Sequence, residues 1–284
     1  MHDRQRISPV ERVARTVVLA VSLAWLAYVL ASWFLVWDPA DAGAYYDAAA
    51  RLRDGLPLYQ PMNPEAHEVY RYAPWFAYAW IPVTVLPRDV ALHAWSFLML
   101  VASGVAVWPI VRLGTVAAVS LAALLGAFLA ETAMFGNAHP AVVALMVVTA
   151  TRRSFPIWLG VAASIKLVPI AFVLVWLGRR QWGPALVALV TVGILWLHAA
   201  FFDLGGYVTD PGTGLLSLYA VSPVLWIGVA VTATGLAVVM AASRSRYSWI
   251  ATAALAFIGP PRVVLSYLAF LAPAVVLTLR ERDR

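Results

Sequence analysis

Apolar runs close to the thickness of a bilayer recur from one end of this chain to the other, and that pattern leaves few folds open. A helix rises about 1.5 Å per residue, so about 20 apolar residues cross the hydrocarbon core. Roughly ten such segments are legible: 14–37, 73–87, 90–111, 115–134, 140–151, 155–177, 184–202, 220–242, 247–259 and 263–279. Hydrophobic residues make up 63% of the chain and charged ones 12%, and the mean hydropathy is +0.82. A soluble globular domain does not have that composition. The polar/apolar alternation of a membrane barrel is absent. The sequence therefore predicts an all-α, polytopic transmembrane bundle, a single membrane-embedded domain over residues 1–284. The first run is too long for a signal-peptide core and lacks a small-residue cleavage site after it, so it reads as a retained helix. Segments 73–87, 140–151 and 247–259 are short for spanning helices. One or two of them are expected to be re-entrant or buried half-helices, which need protein or a wet cavity around their backbone.

Charge sets the expected orientation. The net charge of +6 comes almost wholly from arginine. The arginines cluster at segment ends: Arg4, Arg6, Arg12 and Arg15; Arg179 and Arg180; Arg244 and Arg246; Arg280, Arg282 and Arg284. That is the positive-inside pattern, and no basic stripe alternates with exposed aromatics as in a nucleic-acid surface. An even number of crossings puts both basic tails in the cytoplasm. The 38–72 loop, the 203–219 loop and the Pro260-Pro261-Arg262 turn then lie outside. Counting ten simple crossings also puts Arg152 and Arg153 outside, against the rule. Several of the 13 tryptophans, among them Trp33, Trp37, Trp75, Trp182 and Trp249, fall near segment ends, where an interfacial belt is expected.

The carboxylates are concentrated. Six of 14, namely Asp38, Asp41, Asp47, Asp54, Glu65 and Glu68, fall between Asp38 and Tyr72. Acids are costly inside a bilayer, so this loop reads as an extramembrane working surface. Within it, residues 41–52 are expected to form a short amphipathic helix, with Asp41 at its start and Gly55 at its end. A helix beside a bilayer suits the handling of lipid head groups; a plain solvated connection is the alternative.

A few polar residues interrupt the apolar segments. Lys166 is the only lysine, and no other charge stands between Phe155 and Gly178. An intramembrane ammonium needs a partner or a polar cavity, and a phosphate suits its compact charge. The bland alternative is a side chain reaching back to the interface. Pro169 is expected to break the helix beside it. Phe135-Gly136-Asn137-Ala138-His139-Pro140 is a second break. Two readings of it stand level: Asn137 and His139 hydrogen-bond a sugar or phosphate, or they cap a helix start. Glu131 is a lone acid expected to pair with an arginine. Arg262, at the lip of the last segment, either binds an anionic head group or is an ordinary interfacial arginine.

Several familiar sites are missing. There is no glycine-rich phosphate loop, no zinc-binding histidine pair and no nucleophile elbow. With no cysteine, disulfides and thiolate metal sites are excluded. Asp38 and Asp41 offer two carboxylates to a divalent cation, and no other cofactor is expected.

Taken together, these motifs resemble polyprenol-phosphate-dependent glycosyltransferases of the membrane-embedded GT-C type, family 87 in particular. The resemblance rests on Asp41…Tyr45…Ala48-Ala49…Gly55-Leu-Pro57-Leu-Tyr59, on Tyr72-Ala-Pro74 and Pro82, on Gly136-Asn137, and on Ala162-Ala163-Ser164-Ile165-Lys166…Pro169. There are two departures. Family members are usually longer, which leads to the expectation of fewer membrane helices in the C-terminal half. Ser266 also stands where the family's last motif has a histidine, so Arg262 would have to take that histidine's part.

The resemblance implies a hexosyltransferase of the cell membrane that works on its extracytoplasmic face. A sugar, with mannose favoured, would pass from a polyprenyl-phosphate donor to a lipid or glycan acceptor with inversion. The implied roles are a base at Asp41 with Asp38 as rival, and phosphate contacts from Lys166, Arg262 and Arg71. Tyr45, Asn137, His139 and Ser266 would line the substrate site. A transporter or flippase of a lipid-linked anion and a non-catalytic partner in envelope synthesis are the competing readings. No nucleic acid is expected as a partner; membrane lipids are.

Overall fold

Each apolar run folds as helix, but the runs do not all cross. The computed structural model describes residues 9–33, 35, 37–60, 69–207 and 217–282. The loop acids Glu65 and Glu68, with Asp210, Arg4, Arg6 and Arg284, lie outside the described residues. The helices are α1 (Pro9–Ser32), α2 (Ala40–Arg53), α3 (Pro74–Trp80), α4 (Arg88–Val111), α5 (Val116–Met134), α6 (His139–Thr149), α7 (Phe155–Ile165), α8 (Val173–Gly178), α9 (Trp182–Leu197), α10 (Leu218–Val221), α11 (Pro223–Ala242), α12 (Ser248–Ile258) and α13 (Leu271–Arg282). Stretches of 3-10 helix at Ile81–Val85, Val168–Phe172, His198–Phe201 and Leu265–Phe270 continue α3, lead into α8, extend α9 and lead into α13. No strand occurs among the described residues.

Five helices among the described residues are long and apolar enough to cross a bilayer: α1, α4, α5, α9 with its extension, and α11. Among the shorter apolar legs, α6, α7 and α12 have 11 residues each. At 1.5 Å per residue each is about 16 Å long, far short of the ~30 Å hydrocarbon core.

Two of these legs belong to helical hairpins. The chain climbs α7, leaves the helix at Lys166 in an extended conformation (φ −129°, ψ 123°) and returns through Val168–Phe172 and α8. The Phe155 and Trp176 rings, one near each end, meet at 5.8 Å. Likewise α12 climbs to Gly259, and Leu265–Phe270 with α13 comes back; Trp249 Nε1 at its start donates to Glu281 near its end (2.7 Å). Phe172, Trp176, Trp249 and Phe270 form the seam between the hairpins. Trp249 is therefore a core residue, 3% exposed, rather than the interfacial anchor its position suggested.

The hairpins correct the crossing count. Segment 73–87 begins and ends against α2: Tyr46 Oη donates to Leu86 O (2.9 Å), and Asp47 pairs with Arg88 through two bonds of 3.1 and 3.0 Å. It therefore stays on one side, and segment 155–177, which reads as one crossing, is two legs that reverse. Arg152 and Arg153 consequently share one end of the molecule with Arg179 and Arg280, around a single cavity. Arg280 Nη1 donates to Ala150 O at 2.9 Å. The turns at Arg112, Arg179-Arg180 and Arg244–Arg246 lie at this end too, as do the start of α1 and the end of α13. Asp41, Asp47, Asp54, Asp89 and Asp203 lie at the other.

Packing between the legs depends on small residues, since apolar area gains little when lipid surrounds the helices. A Cβ on Gly160 of α7 would sit 2.5 Å from Thr191 Cβ and 2.7 Å from Ala188 O of α9. The glycine lets the two backbones touch.

Candidate active site

The loop helix α2 closes the acidic end of the bundle. Its end is well specified by sequence. Gly55 takes φ +70°, Gly55 N–H donates to Leu52 O and Leu56 N–H to Arg51 O, which is a Schellman stop. Its inner face, Ala42, Ala44, Tyr45, Ala48 and Ala49, is buried against protein. The small residues let α2 lie close to the turn that links α5 to α6. Gly136 in that turn has φ +67°, and a Cβ there would fall 2.5 Å from Ala42 Cβ.

That contact brings Asp41 and Asn137 together across 96 residues. Asp41 N–H donates to Phe135 O (3.0 Å), and Asn137 Nδ2 donates to Asp41 Oδ2 (2.9 Å). Asn137 Oδ1 in turn accepts the first backbone N–H of α6, from His139 (2.9 Å). The capping and recognition readings of this break thus meet in one side chain, because the cap fixes which end of the amide faces the carboxylate. Tyr45 Oη accepts from Ala138 N–H (3.2 Å) and donates to Tyr72 Oη (2.7 Å). Burial holds both tyrosine hydroxyls well above their ordinary pKa, with the nearby Asp41 adding to the effect. They stay protonated and serve as neutral donors. Trp95 Nε1 donates to Gly136 O (2.8 Å), and Tyr59 Oη to Tyr72 O (2.8 Å).

The hairpin tips supply the other wall. His139 is fully buried, and its Nε2–H donates to the Ser266 carbonyl (2.9 Å). Its ring lies 5.5 Å from Tyr267 and 5.0 Å from Phe270. Lys166 places its Nζ 5.7 Å from the Tyr267 ring centroid and lies within electrostatic reach of His139. Tyr72 lies within electrostatic reach of both Asp41 and Tyr267, which joins the two walls. Trp75 Nε1 donates to Ser164 Oγ (3.1 Å) and ties the start of α3 to the α7 tip. Among the described residues Lys166 makes no ion pair.

Of the residues marked by sequence, Asp41, Tyr45, Asn137, His139, Lys166 and Ser266 converge. Ser266 does so through its backbone carbonyl. Asp38 stands outside the cluster, exposed before α2. Arg262 is exposed at the turn between α12 and α13, and has no hydrogen bond or ion pair among the described residues. Arg71 is exposed, with its charge near Tyr72 and Tyr207. Glu131 is half-buried in α5, and no arginine pairs with it among the described residues. No group of three or more metal-ligating side chains occurs among the described residues. Trp95 and Tyr267 escape a sequence reading, and Tyr72 enters it only within the Tyr72-Ala-Pro74 motif with no role assigned, because aromatics near segment ends are expected in any membrane protein.

The model of glycosyltransferase family 87 matches residues 70–210. That stretch, just under half of the chain, is similar to the family. The match includes Tyr72, Asn137, His139 and Lys166, while Asp41 precedes it and Ser266 follows it. No curated protein and no solved structure matches the chain.

Proposed function

We propose that this membrane glycosyltransferase takes its sugar from a polyprenyl-phosphate donor and passes it, with inversion, to a lipid or glycan acceptor. Mannose is the sugar the motif resemblance favours. One observation carries the reading: a hydrogen-bonded carboxylate, Asp41, and an ammonium without an ion-pair partner among the described residues, Lys166, are linked through Tyr72 and Tyr267 although they stand 125 residues apart in the chain. Direct displacement needs those two groups. A base must lie within about 2.6–3.2 Å of the attacking hydroxyl in the productive pose, and a cation must meet the charge that grows on the departing phosphate.

In this scheme Asp41 Oδ1 takes the acceptor proton while Oδ2 stays on Asn137. Lys166 Nζ holds the phosphate. Arg71 and Arg262, at the rim, guide the anionic donor. Tyr45, Tyr72 and His139 shape the sugar pocket. The family motif's missing histidine at 266 has a spatial counterpart, because His139 brings an imidazole onto the Ser266 backbone. The arginine-rich end would face the cytoplasm by the positive-inside rule, which leaves Asp41 on the extracytoplasmic side of the cell membrane. A divalent cation has no part in the scheme. A carrier of lipid-linked anions would draw on the same paired hairpins, so the test must read bond formation.

Purified protein in proteoliposomes, given polyprenyl-phosphate mannose and an envelope-lipid acceptor pool, should transfer sugar. Asp41→Asn should keep its fold and lose at least about 100-fold in rate, the low end for a general base. Equal transfer by both proteins would move the base to Asp38 or Glu131. No transfer by folded wild type, with this donor or other lipid-linked sugars, would sink the reading.

A further inference from the structure

The other end of the bundle carries a second site of opposite character. The feet of the two hairpins enclose a cavity of about 350 Å³, a volume typical of small-molecule pockets. Arg152, Arg153, Arg179 and Arg280 line it, with Trp176 and Trp249 as its aromatic wall, and Glu281 is the one acid among its described lining residues.

The four arginines differ in state. Arg179 is anchored: its guanidinium pairs with both carboxylate oxygens of Glu281 and donates to Ser248 Oγ (2.6 Å), and its side chain is 11% exposed. Its buried Nε nevertheless finds no acceptor among the described residues. Arg280 spends one N–H on Ala150 O (2.9 Å). Arg152 and Arg153 are exposed and make no ion pair among the described residues. Among the described lining residues one carboxylate, Glu281, faces Arg152, Arg153 and Arg179, and it is already engaged by Arg179. The positive-inside rule accounts for arginines spread over an interface, but not for four of them converging on one cavity with an aromatic wall. Guanidinium groups presented from several directions match a phosphate, whose oxygens accept paired N–H bonds.

We propose that this cavity binds a phosphate group, independently of the sugar-transfer site at the far end. Two sources present that chemistry at this end of the bundle: the headgroup of an anionic phospholipid in the adjoining leaflet, and a soluble phosphate. The occupant would also join all four hairpin feet, since Arg152 and Arg153 precede α7, Arg179 follows α8, Trp249 belongs to α12 and Arg280 to α13.

The test reads thermal unfolding, so it does not depend on the sugar-transfer reading. Wild type is compared with Arg152→Gln/Arg153→Gln, which changes two exposed side chains. The control is Arg12→Gln/Arg112→Gln, which removes equal charge from the same end away from the cavity. Each protein is melted in nanodiscs of phosphatidylcholine, in the same discs with added inorganic phosphate, and in discs containing phosphatidylglycerol. Saturating ligand should raise the wild-type midpoint by about 5 °C, and the control should keep that rise. The cavity variant should lose most of it. A rise with phosphatidylglycerol alone identifies a lipid site, and a rise with phosphate alone a soluble ligand. No rise in wild type, or equal loss in both variants, overturns the proposal in favour of ordinary interfacial charge.

Discussion

Gly136 is the residue on which the candidate site most depends, although it carries no functional group. Its left-handed backbone costs a side chain about 1–2 kcal/mol, and a Cβ there would meet Ala42 Cβ at 2.5 Å, an overpacking penalty of about 1–3 kcal/mol. Relief has one direction, which is α2 moving off the α5–α6 turn, and that motion parts Asp41 from Asn137. Gly136→Ala should therefore lose most sugar transfer as well as stability. Gly55→Ala is the matched control, because its φ is +70° but a Cβ there meets nothing within 4 Å. It should cost backbone strain alone and keep full transfer. Equal activity loss in the two would show that the Gly136 contact does not position the site. At this scale the sequence was informative where chemistry is expensive. Lys166, Asn137 and His139 stand out because polar groups inside apolar runs need a reason to be there. Tyr72 stood out only as part of a motif and Tyr267 not at all, because nothing distinguishes an aromatic at a site from one at an interface.

Among the elements, the α7–α8 hairpin has the largest consequences, since it delivers Lys166 to the cleft and Arg152 and Arg179 to the opposite end. Pro169 announces a break after Lys166 and the break is there, but a break does not say whether the chain continues or reverses. Both outcomes read as one apolar run of bilayer length. Reversal follows from packing that only the folded chain displays: Phe155 on Trp176, and α7 seated directly on α9 through Gly160. Adding a methyl group at Gly160 forces α7 off the Ala188 carbonyl and tilts the hairpin tip. Gly160→Ala should lower stability by about 1–3 kcal/mol and reduce transfer through Lys166. Gly193→Ala, on α9 with open space around it, should do neither. The comparison needs only unfolding midpoints and initial rates; equal behaviour of the two variants would mean that the α7–α9 contact does not hold the tip.

For the whole molecule, the reversal decides which loops share a side. Ten simple crossings place Arg152 and Arg153 with the acidic loop, whereas the fold places them with Arg179 and Arg280. The two arrangements agree at both ends of the chain and differ only between residues 88 and 178, so the terminal charge clusters cannot tell them apart. The fold's arrangement removes the Arg152-Arg153 exception to the positive-inside rule, gathering the loop arginines at Arg112, Arg152-Arg153, Arg179-Arg180 and Arg244–Arg246 on one side. The chain has no cysteine, so single introduced cysteines report sidedness without a background. Thr151, Ser243 and Asp54 are all exposed. In sealed, right-side-out vesicles treated with a membrane-impermeant maleimide, Asp54→Cys should react. Thr151→Cys and Ser243→Cys should react only after the membrane is opened. Reaction of Thr151→Cys together with Asp54→Cys would mean that α7 and α8 continue through the bilayer as one crossing. The arginine cavity would then be dismantled along with the hairpin. Reaction of Thr151→Cys and Ser243→Cys before opening, with Asp54→Cys protected, would keep the hairpin and invert the molecule, moving the Asp41 cleft to the cytoplasmic face.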